Sequence, residues 1–419
     1  MKKDDEILKR RLDTLWNYSL FDALTNRRSR RFGQGYELKY DTFDFTSDKE
    51  PIPLTDQETA VLAWAGHGIS GLALGEAQLI THVHNSWNGR VHPAPCNEQH
   101  SYLLWVNDKG AFLYDPPDAT KVVEIQDPTE RVKIMQFYEE GTRQFLDHRP
   151  EFPDAGWLSS NKWLNNRPGS TLFFPVVDVA AEYINFMLYA AACEGYQVFD
   201  DRTGKPAGIG KWIDNGTLNG PNMTLSMWEI FVLNVSTAQC QFKAQNMALT
   251  AEAMGVGVLS YSGFTPMVIL GGTPLAKGLE FNFVTGKDGM PNPVGKKGLV
   301  ETFCPPYYKN MDDAVDALVE GKYGDNGVLT PGYKGPVPVK DKQRVLGGTK
   351  PPTKDVIQIT KDFCNYVYDT YGRFPAFVDT IQAPIATLVH HVDEDFYAEY
   401  YPAEVLHERF HNHMKIWHE

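Results

Sequence analysis

The chain has 419 residues, 42% of them hydrophobic and 12% aromatic, with a formal net charge of -13. That length and apolar content supply a large core and two or three domains' worth of structure. The acidic balance excludes a general nucleic-acid binder, which needs a basic face, and no apolar run reaches the roughly 20 residues of a membrane span.

Behind the lysines of Met1-Lys2-Lys3-Asp4-Asp5-Glu6 there is no apolar stretch, so the expectation is no secretory signal and a cytoplasmic protein. An amphipathic segment carrying Leu12, Leu15, Trp16, Leu20, Phe21 and Leu24 leads into Arg27-Arg28-Ser29-Arg30-Arg31-Phe32. Four arginines around a serine offer charge-assisted hydrogen bonds to a phosphate monoester, although a run of this kind alone is more often a solvated face. Ser101–Val106 and Gly110–Tyr114 read as strands paired in a hairpin across Asn107-Asp108-Lys109. Ala180 to Gly195 reads as a mostly apolar helix of the core.

Further along, Ala244, Met247, Ala248, Ala251 and Met254 form one helical face that Gly255 with Gly257 ends. Pro266–Leu270 reads as a third strand. Tyr323 to Thr353 is dense in glycine, proline and lysine and reads as an extended connector. Thr353 then caps a helix with Val356, Ile359, Phe363, Val367 and Tyr371 at helical spacing until Gly372 stops it, and a second helix lies near the C-terminus. Helices outnumber strands and do not alternate strictly with them, which favours an α+β fold, a mixed or antiparallel sheet flanked by helices. The cysteines Cys96, Cys193, Cys240, Cys304 and Cys364 are odd in number and scattered, a pattern of reduced thiols and small core residues.

Gln245-Asn246-Met247 followed by Ala251-Glu252-Ala253-Met254-Gly255-Val256-Gly257 resembles the central helix of the nitroreductase superfamily, FMN enzymes of α+β fold. Ser262-Gly263-Phe264 falls where that family has an acidic residue, glycine and phenylalanine. Arg28-Ser29 with Phe32 is similar to its opening arginine-arginine-serine motif, and Ala94-Pro95-Cys96-Asn97-Glu98-Gln99 to its loop of proline-serine and asparagine-x-glutamine, which likewise runs into a strand. Gly110 to Pro116, ending Leu113-Tyr114-Asp115-Pro116, resembles the branch containing the SagB-type azoline dehydrogenases. The departures are an arginine motif one residue short, Pro95-Cys96 in place of proline-serine, and Ser262 where many members have glutamate.

The resemblance implies that Arg27, Arg28, Ser29 and Arg31 hold the FMN phosphate, with Lys277 also reaching it. It implies that Pro95, Cys96, Asn97 and Gln99 form the loop facing the isoalloxazine edge, and that Gly263, beside Ser262, offers its amide to flavin N5. The implied protein is an FMN-dependent oxidoreductase working by a ping-pong cycle between a donor, NADH, NADPH or neither, and a small organic substrate. It would be a homodimer with FMN at the subunit interface. The implied division is a nitroreductase-like domain over 1–322 with an insertion around 160–235, the connector over 323–353, and a helical C-terminal extension over 354–419. No dinucleotide-binding fingerprint is present.

Histidines supply the competing signals. His82, His84 and His92 precede the proline-cysteine loop, and His84 is a candidate proton donor because imidazole titrates near neutrality; such a residue more often only satisfies hydrogen bonds. His407-Glu408-Arg409-Phe410-His411 fits H-E-x-x-H, two zinc-chelating histidines one turn apart with a glutamate to activate water. On that helix Leu406, Phe410, His413 and Trp417 form one stripe and His407, His411 and His418 the next. The eight residues after His411 leave little room for a zincin cleft. The alternatives are therefore a metal-dependent hydrolase, a structural metal site joined by His390, His391, Asp393 or Glu394, a plain capping helix, or a flavin-free binding protein of the same fold. No metal ligand is assigned.

Overall fold

The protein is described by a computed structural model over residues 3–75, 83–116, 129–274 and 276–419. Its principal helices are α1 (Lys3–Trp16), α2 (Leu20–Asn26), α3 (Asp56–His67), α4 (Lys133–Gly141), α5 (Val179–Tyr189), α6 (Leu225–Met254), α7 (Met311–Tyr323), α8 (Lys354–Tyr371), α9 (Glu394–Tyr400) and α10 (Glu408–Trp417). The main sheet holds β1 (Ser101–Asn107), β2 (Gly110–Tyr114), β3 (Thr142–Leu146), β4 (Thr171–Asp178), β5 (Gly257–Tyr261), β6 (Ile381–Gln382) and β7 (Ala386–His390). The fold is α+β, with helices flanking an antiparallel sheet.

The strands run in the order β5-β7-β4-β1-β2-β3, with β6 also on β4. Every one of these pairings is antiparallel. β4 is buried at all eight positions, as a continuous apolar run covered on both faces should be. Alternation along β1 serves two cores. Leu103 and Trp105 pack with Leu62, Met247 and Trp417 beneath α3, α6 and α10, while Leu104 and Val106 meet Phe174, Leu388 and Phe410 on the other side.

The hairpin forms as expected, with Asn107 paired to Gly110 around Asp108-Lys109. The α8 signals also hold: the Thr353 side chain accepts from the Val356 N–H, and Gly372 ends the helix at a φ of 69°. The helix ending at Met254 begins far earlier than its apolar face suggested, at Leu225, capped by Thr224 and ended by Gly255 at a φ of 83°. At 30 residues it spans about 45 Å along one side of the sheet.

Several expectations are corrected. Pro266–Leu270 is a short helix, because Pro266 occupies a first-turn position and Gly271 supplies the left-handed end; five apolar residues carry too little periodicity to separate helix from strand. The segment 354–419 is no purely helical appendage, since β7 lies between β5 and β4 with all five residues buried. β4 itself comes from the stretch read as an insertion, so both regions build the sheet. The connector is packed as well, with Leu329 and Leu346 against Trp87. All five cysteines are free; Cys240, Cys304 and Cys364 are buried as expected, but Cys193 is exposed. Among the described residues no helix is long and apolar enough to cross a membrane.

If β7 is core, Leu388→Ala should lower the unfolding free energy by about 2–5 kcal/mol, read from chemical denaturation. An unchanged midpoint would return the C-terminal segment to the status of an appendage.

Candidate functional site

Residues 28–32 run past the start of β5, where a Cβ on Gly257 would stand 2.6 Å from His390 Nε2 and 2.9 Å from the Arg30 carbonyl oxygen. Only glycine allows that approach. Arg30 is 3% exposed and fully engaged. Its Nη1 lies 2.7 Å from Glu252 Oε2, its Nε and Nη2 donate to the Val405 carbonyl at 2.9 and 2.7 Å, and its guanidinium sits 4.2 Å from the Phe410 ring centre. The other Glu252 oxygen meets His407 Nε2 at 2.5 Å. Arg30 is thus a structural residue.

Its neighbours are free for other work. Arg28, Ser29 and Arg31 are exposed, and Arg28 donates to the carbonyls of Thr25 and Arg27, at 2.9 Å each. Neither Arg28 nor Arg31 has a carboxylate partner among the described residues. Arg28, Ser29 and Arg31 open onto a cavity of ≈ 700 Å³ whose far walls include Tyr40, Phe43, Trp163, Tyr397 and Tyr401. Phe32 forms its floor, stacked on Phe396 at 4.1 Å. An anion-binding end and an aromatic wall in a cavity of this size suit a ligand that joins a phosphate to a planar ring. Arg27, half-buried, caps α2 and is not in the lining.

The Ser262–Gly263 turn follows β5, and a 3-10 helix over Ser159–Leu164 connects it to the cavity. The Gly263 carbonyl accepts the Leu158 N–H at 3.0 Å, while Ser160 and Trp163 line the cavity. A Cβ on Gly263 would stand 2.6 Å from Asn161 Nδ2. Lys277 is exposed on the turn after Pro266–Leu270 and is not in the lining.

Pro95 to Gln99 lies elsewhere. The arginine run neighbours the Thr171 end of β4, through the Gly33–Val392 bridge and the Val389–Thr171 pair. The loop enters β1 at the other end, where Ser101 pairs with Val177. Six residue steps along β4 separate the two, about 20 Å. The loop's polar groups also turn inward: Asn97 Nδ2 donates to the Asn88 carbonyl at 3.0 Å, Gln99 Nε2 to the Asn97 carbonyl at 3.1 Å, and Gln99 Oε1 accepts from Arg90 Nε at 2.7 Å. Cys96 adopts a φ of 52°, and burial together with Glu182 pushes its thiol pKa up, away from nucleophilic use.

Around this loop is a buried polar cluster that the sequence did not announce. Glu98 accepts from Gln239 Nε2 at 2.9 Å and meets His100 Nδ1 at 2.8 Å, and Lys243 Nζ donates to Ser101 Oγ at 2.9 Å. Burial pushes Lys243 and Lys322 down to about 7, Asp178 up to about 7 and Glu182 up to about 8. The available signal was Lys243 at core spacing with Cys240, Ala244 and Met247 on one helix. Burial, then Lys322, lowers His84 to about 4. Its ring is therefore held in the neutral form near pH 7. His92 is pushed down to about 2, chiefly by burial; His82 lies outside the described residues.

The H-E-x-x-H pattern does not form a zincin site. His407 is the cap preceding α10, with extended φ and ψ of -98° and 176°, so helical spacing does not apply to it. His407 turns to Glu252, whereas His411 Nδ1 meets Glu394 Oε2 at 2.5 Å. The hydrolase alternative loses its ligand pair.

No protein-family model matches the chain, and no curated protein does. Among solved structures it is similar to a protein of Ralstonia eutropha provisionally described as a nitroreductase, with 13% identity, 59% of this chain and 71% of that one covered, and a TM-score of 0.28. A likeness at that level decides nothing about activity, so the functional reading rests on the site.

Asp178 offers a pH test. It caps α5 through the Ala180 N–H at 2.8 Å and accepts the Phe303 N–H at 3.0 Å. With its folded pKa raised to about 7 from 3.8, the native state holds a proton the unfolded chain has already lost between those values. Its contribution therefore weakens as pH rises, by up to about 1.4 kcal/mol per pH unit. Asp178→Asn should gain stability relative to the parent between pH 5 and pH 7.5 in urea unfolding; a pH-independent difference would contradict the raised pKa.

Proposed function

We propose that the chain is an FMN-dependent oxidoreductase of nitroreductase type, with the cofactor phosphate at Arg28, Ser29 and Arg31. The observation that carries this reading is the pair of arginines without carboxylate partners among the described residues, beside a serine, in the lining of an aromatic-walled cavity of ≈ 700 Å³. Arg28 and Arg31 would bind the phosphate as fixed donors, with Arg27 contributing charge from the end of α2. Trp163, Tyr397 and Tyr401 would orient a planar ring and exclude water from its face.

When bound, FMN would supply two-electron redox chemistry between a donor such as NADH or NADPH and a small organic acceptor. Ser262 and Gly263, beyond the 3-10 helix that walls the cavity, are assigned to the ring end, while Lys277, which is not in the lining, has little geometric support for reaching the phosphate. Asn97 and Gln99 bond inward, so the resemblance-derived role for the Pro95 to Gln99 loop has the least geometric support within one chain.

The proposal includes a homodimer. α6 keeps Met227, Ile230, Phe231 and Phe242 exposed along one face, and α2, which packs on it, exposes Leu20, Phe21 and Leu24. An apolar area of this kind marks an association surface. The arginine run directly follows α2, so pairing through this face brings the cavity close to the subunit boundary.

Protein purified without added cofactor should show the visible spectrum of a flavin, release FMN on heating, and have twice the chain mass by light scattering. The combined substitution Arg28→Ala with Arg31→Ala should weaken FMN binding roughly 100-fold, two charge-assisted hydrogen bonds' worth. A colourless protein that also refuses added FMN would overturn the flavin reading and leave a binding protein of the same fold.

A further inference from the structure

Four side chains distant in sequence converge beneath the C-terminal helix. Oε1 of Glu58, in the first turn of α3, lies 3.1 Å from His391 Nε2, 2.7 Å from His413 Nε2 and 3.3 Å from His418 Nε2. His391 and His418 bring their Nε2 atoms to 3.2 Å of each other. Glu58, His391 and His413 are buried, and His418 is half-buried. All four donor atoms lie within 4.8 Å of one another.

The outward bonds of the rings fix which nitrogen carries a proton. His391 Nδ1 is 2.8 Å from the Ile52 carbonyl oxygen, and His413 Nδ1 is 2.8 Å from that of Met254. A carbonyl only accepts, so each Nδ1 is the N–H, and each Nε2 of a neutral ring points a lone pair at Glu58 Oε1. Lone pairs of nitrogen and carboxylate repel. Protons on Nε2 would relieve this by charging His391 and His413 together around one buried carboxylate, beside the guanidinium of Arg11, which donates to Ile416 and Gln57 nearby. One cation at the centre satisfies every lone pair at once.

We propose that Glu58, His391, His413 and His418 bind a divalent transition-metal ion of the zinc class in a closed structural site. Four donors at zinc bond lengths of about 2.0–2.1 Å in a tetrahedron stand about 3.3 Å apart, close to the separations found here. Three imidazoles and a carboxylate are the donor set of a borderline cation. The surrounding bonds are those of metal ligands: two rings held by backbone carbonyls, and Glu58 held through Oε2 by the Thr55 N–H at 2.6 Å, in a capping box that leaves Oε1 facing inward. With all four positions taken by protein, the ion fastens α3, the end of β7 and the end of α10. The start of α10 is held by the Arg30–Glu252–His407 group, so metal closes the second clamp on this helix.

The test uses the full chain, prepared without a metal-affinity tag and analysed for zinc, iron, manganese, cobalt, nickel and copper. Close to one equivalent of a divalent metal per chain is expected, with zinc foremost. Chain stripped of metal and refilled with cobalt(II) alone should gain the visible absorption of four-coordinate cobalt, and its thermal midpoint should rise with added zinc(II). His418→Ala, which changes the half-buried ligand at the end of α10, should weaken binding by more than the roughly 10- to 100-fold that outer contacts alone account for. His411→Ala, paired with Glu394, should keep full occupancy. Substoichiometric metal together with no cobalt spectrum would overturn the proposal, as would full occupancy in both His418→Ala and Glu58→Gln. The cobalt spectrum of the unaltered chain decides the matter should a variant fail to fold.

Discussion

A charged or amide side chain buried on the inner face of a 30-residue helix must find a partner, and this constraint organises the molecule around α6. Four such side chains, Glu229, Gln239, Lys243 and Glu252, are each 0% exposed. Together they fasten three segments: Glu229 accepts the N–H groups of Ala376 and Phe377, Gln239 holds Glu98, Lys243 holds Ser101, and Glu252 holds Arg30 and His407. The helix is a rail to which the N-terminal run, the loop before β1 and the C-terminal segment are attached at fixed intervals. Breaking a buried pair such as Arg30–Glu252 leaves an uncompensated charge, at a cost of about 3–5 kcal/mol.

The candidate site follows from this attachment. With Arg30 spent on Glu252 and the Val405 carbonyl, Arg28, Ser29 and Arg31 are left exposed at the cavity. The aromatic wall comes partly from residues 396–401, held in place because β7 is stitched between β5 and β4. The C-terminal segment therefore completes both the sheet and the cavity. Nine residues of α6 separate Glu252 from Lys243, about 14 Å, which is why the arginine run and the polar loop remain distinct within one chain.

Local signals were legible wherever a single short-range interaction decides the outcome. The turn at Asp108-Lys109, the Thr353 cap and the glycines at 255 and 372 are cases of this kind. The strand at Ala386–His390 was not legible, since a five-residue apolar run buried on both faces has no alternation, and its partners come from residues 171–173 and 257–261. Pro266–Leu270 failed for the same reason in the opposite direction. At the C-terminus the stripes Leu406, Phe410, His413, Trp417 and His407, His411, His418 describe the helix well, and Leu406, Phe410 and Trp417 are buried as a capping helix requires. They did not reveal that His413 and His418 look toward Glu58 and His391, because ligands brought together over more than 300 residues leave no spacing to read. The arginine run was visible, but which arginine is structural depended on Glu252, and nothing near residue 30 encodes that pairing.

The central claim is that Arg28 and Arg31 recognise a phosphate carried on a planar ring. Its most direct measurement compares FMN with riboflavin, which differ in that phosphate alone, by titrating flavin-stripped protein at two ionic strengths. The account predicts FMN binding tighter by roughly 100-fold, with the advantage shrinking as salt rises. Equal affinity for the two flavins, or a preference unaffected by salt, would contradict it.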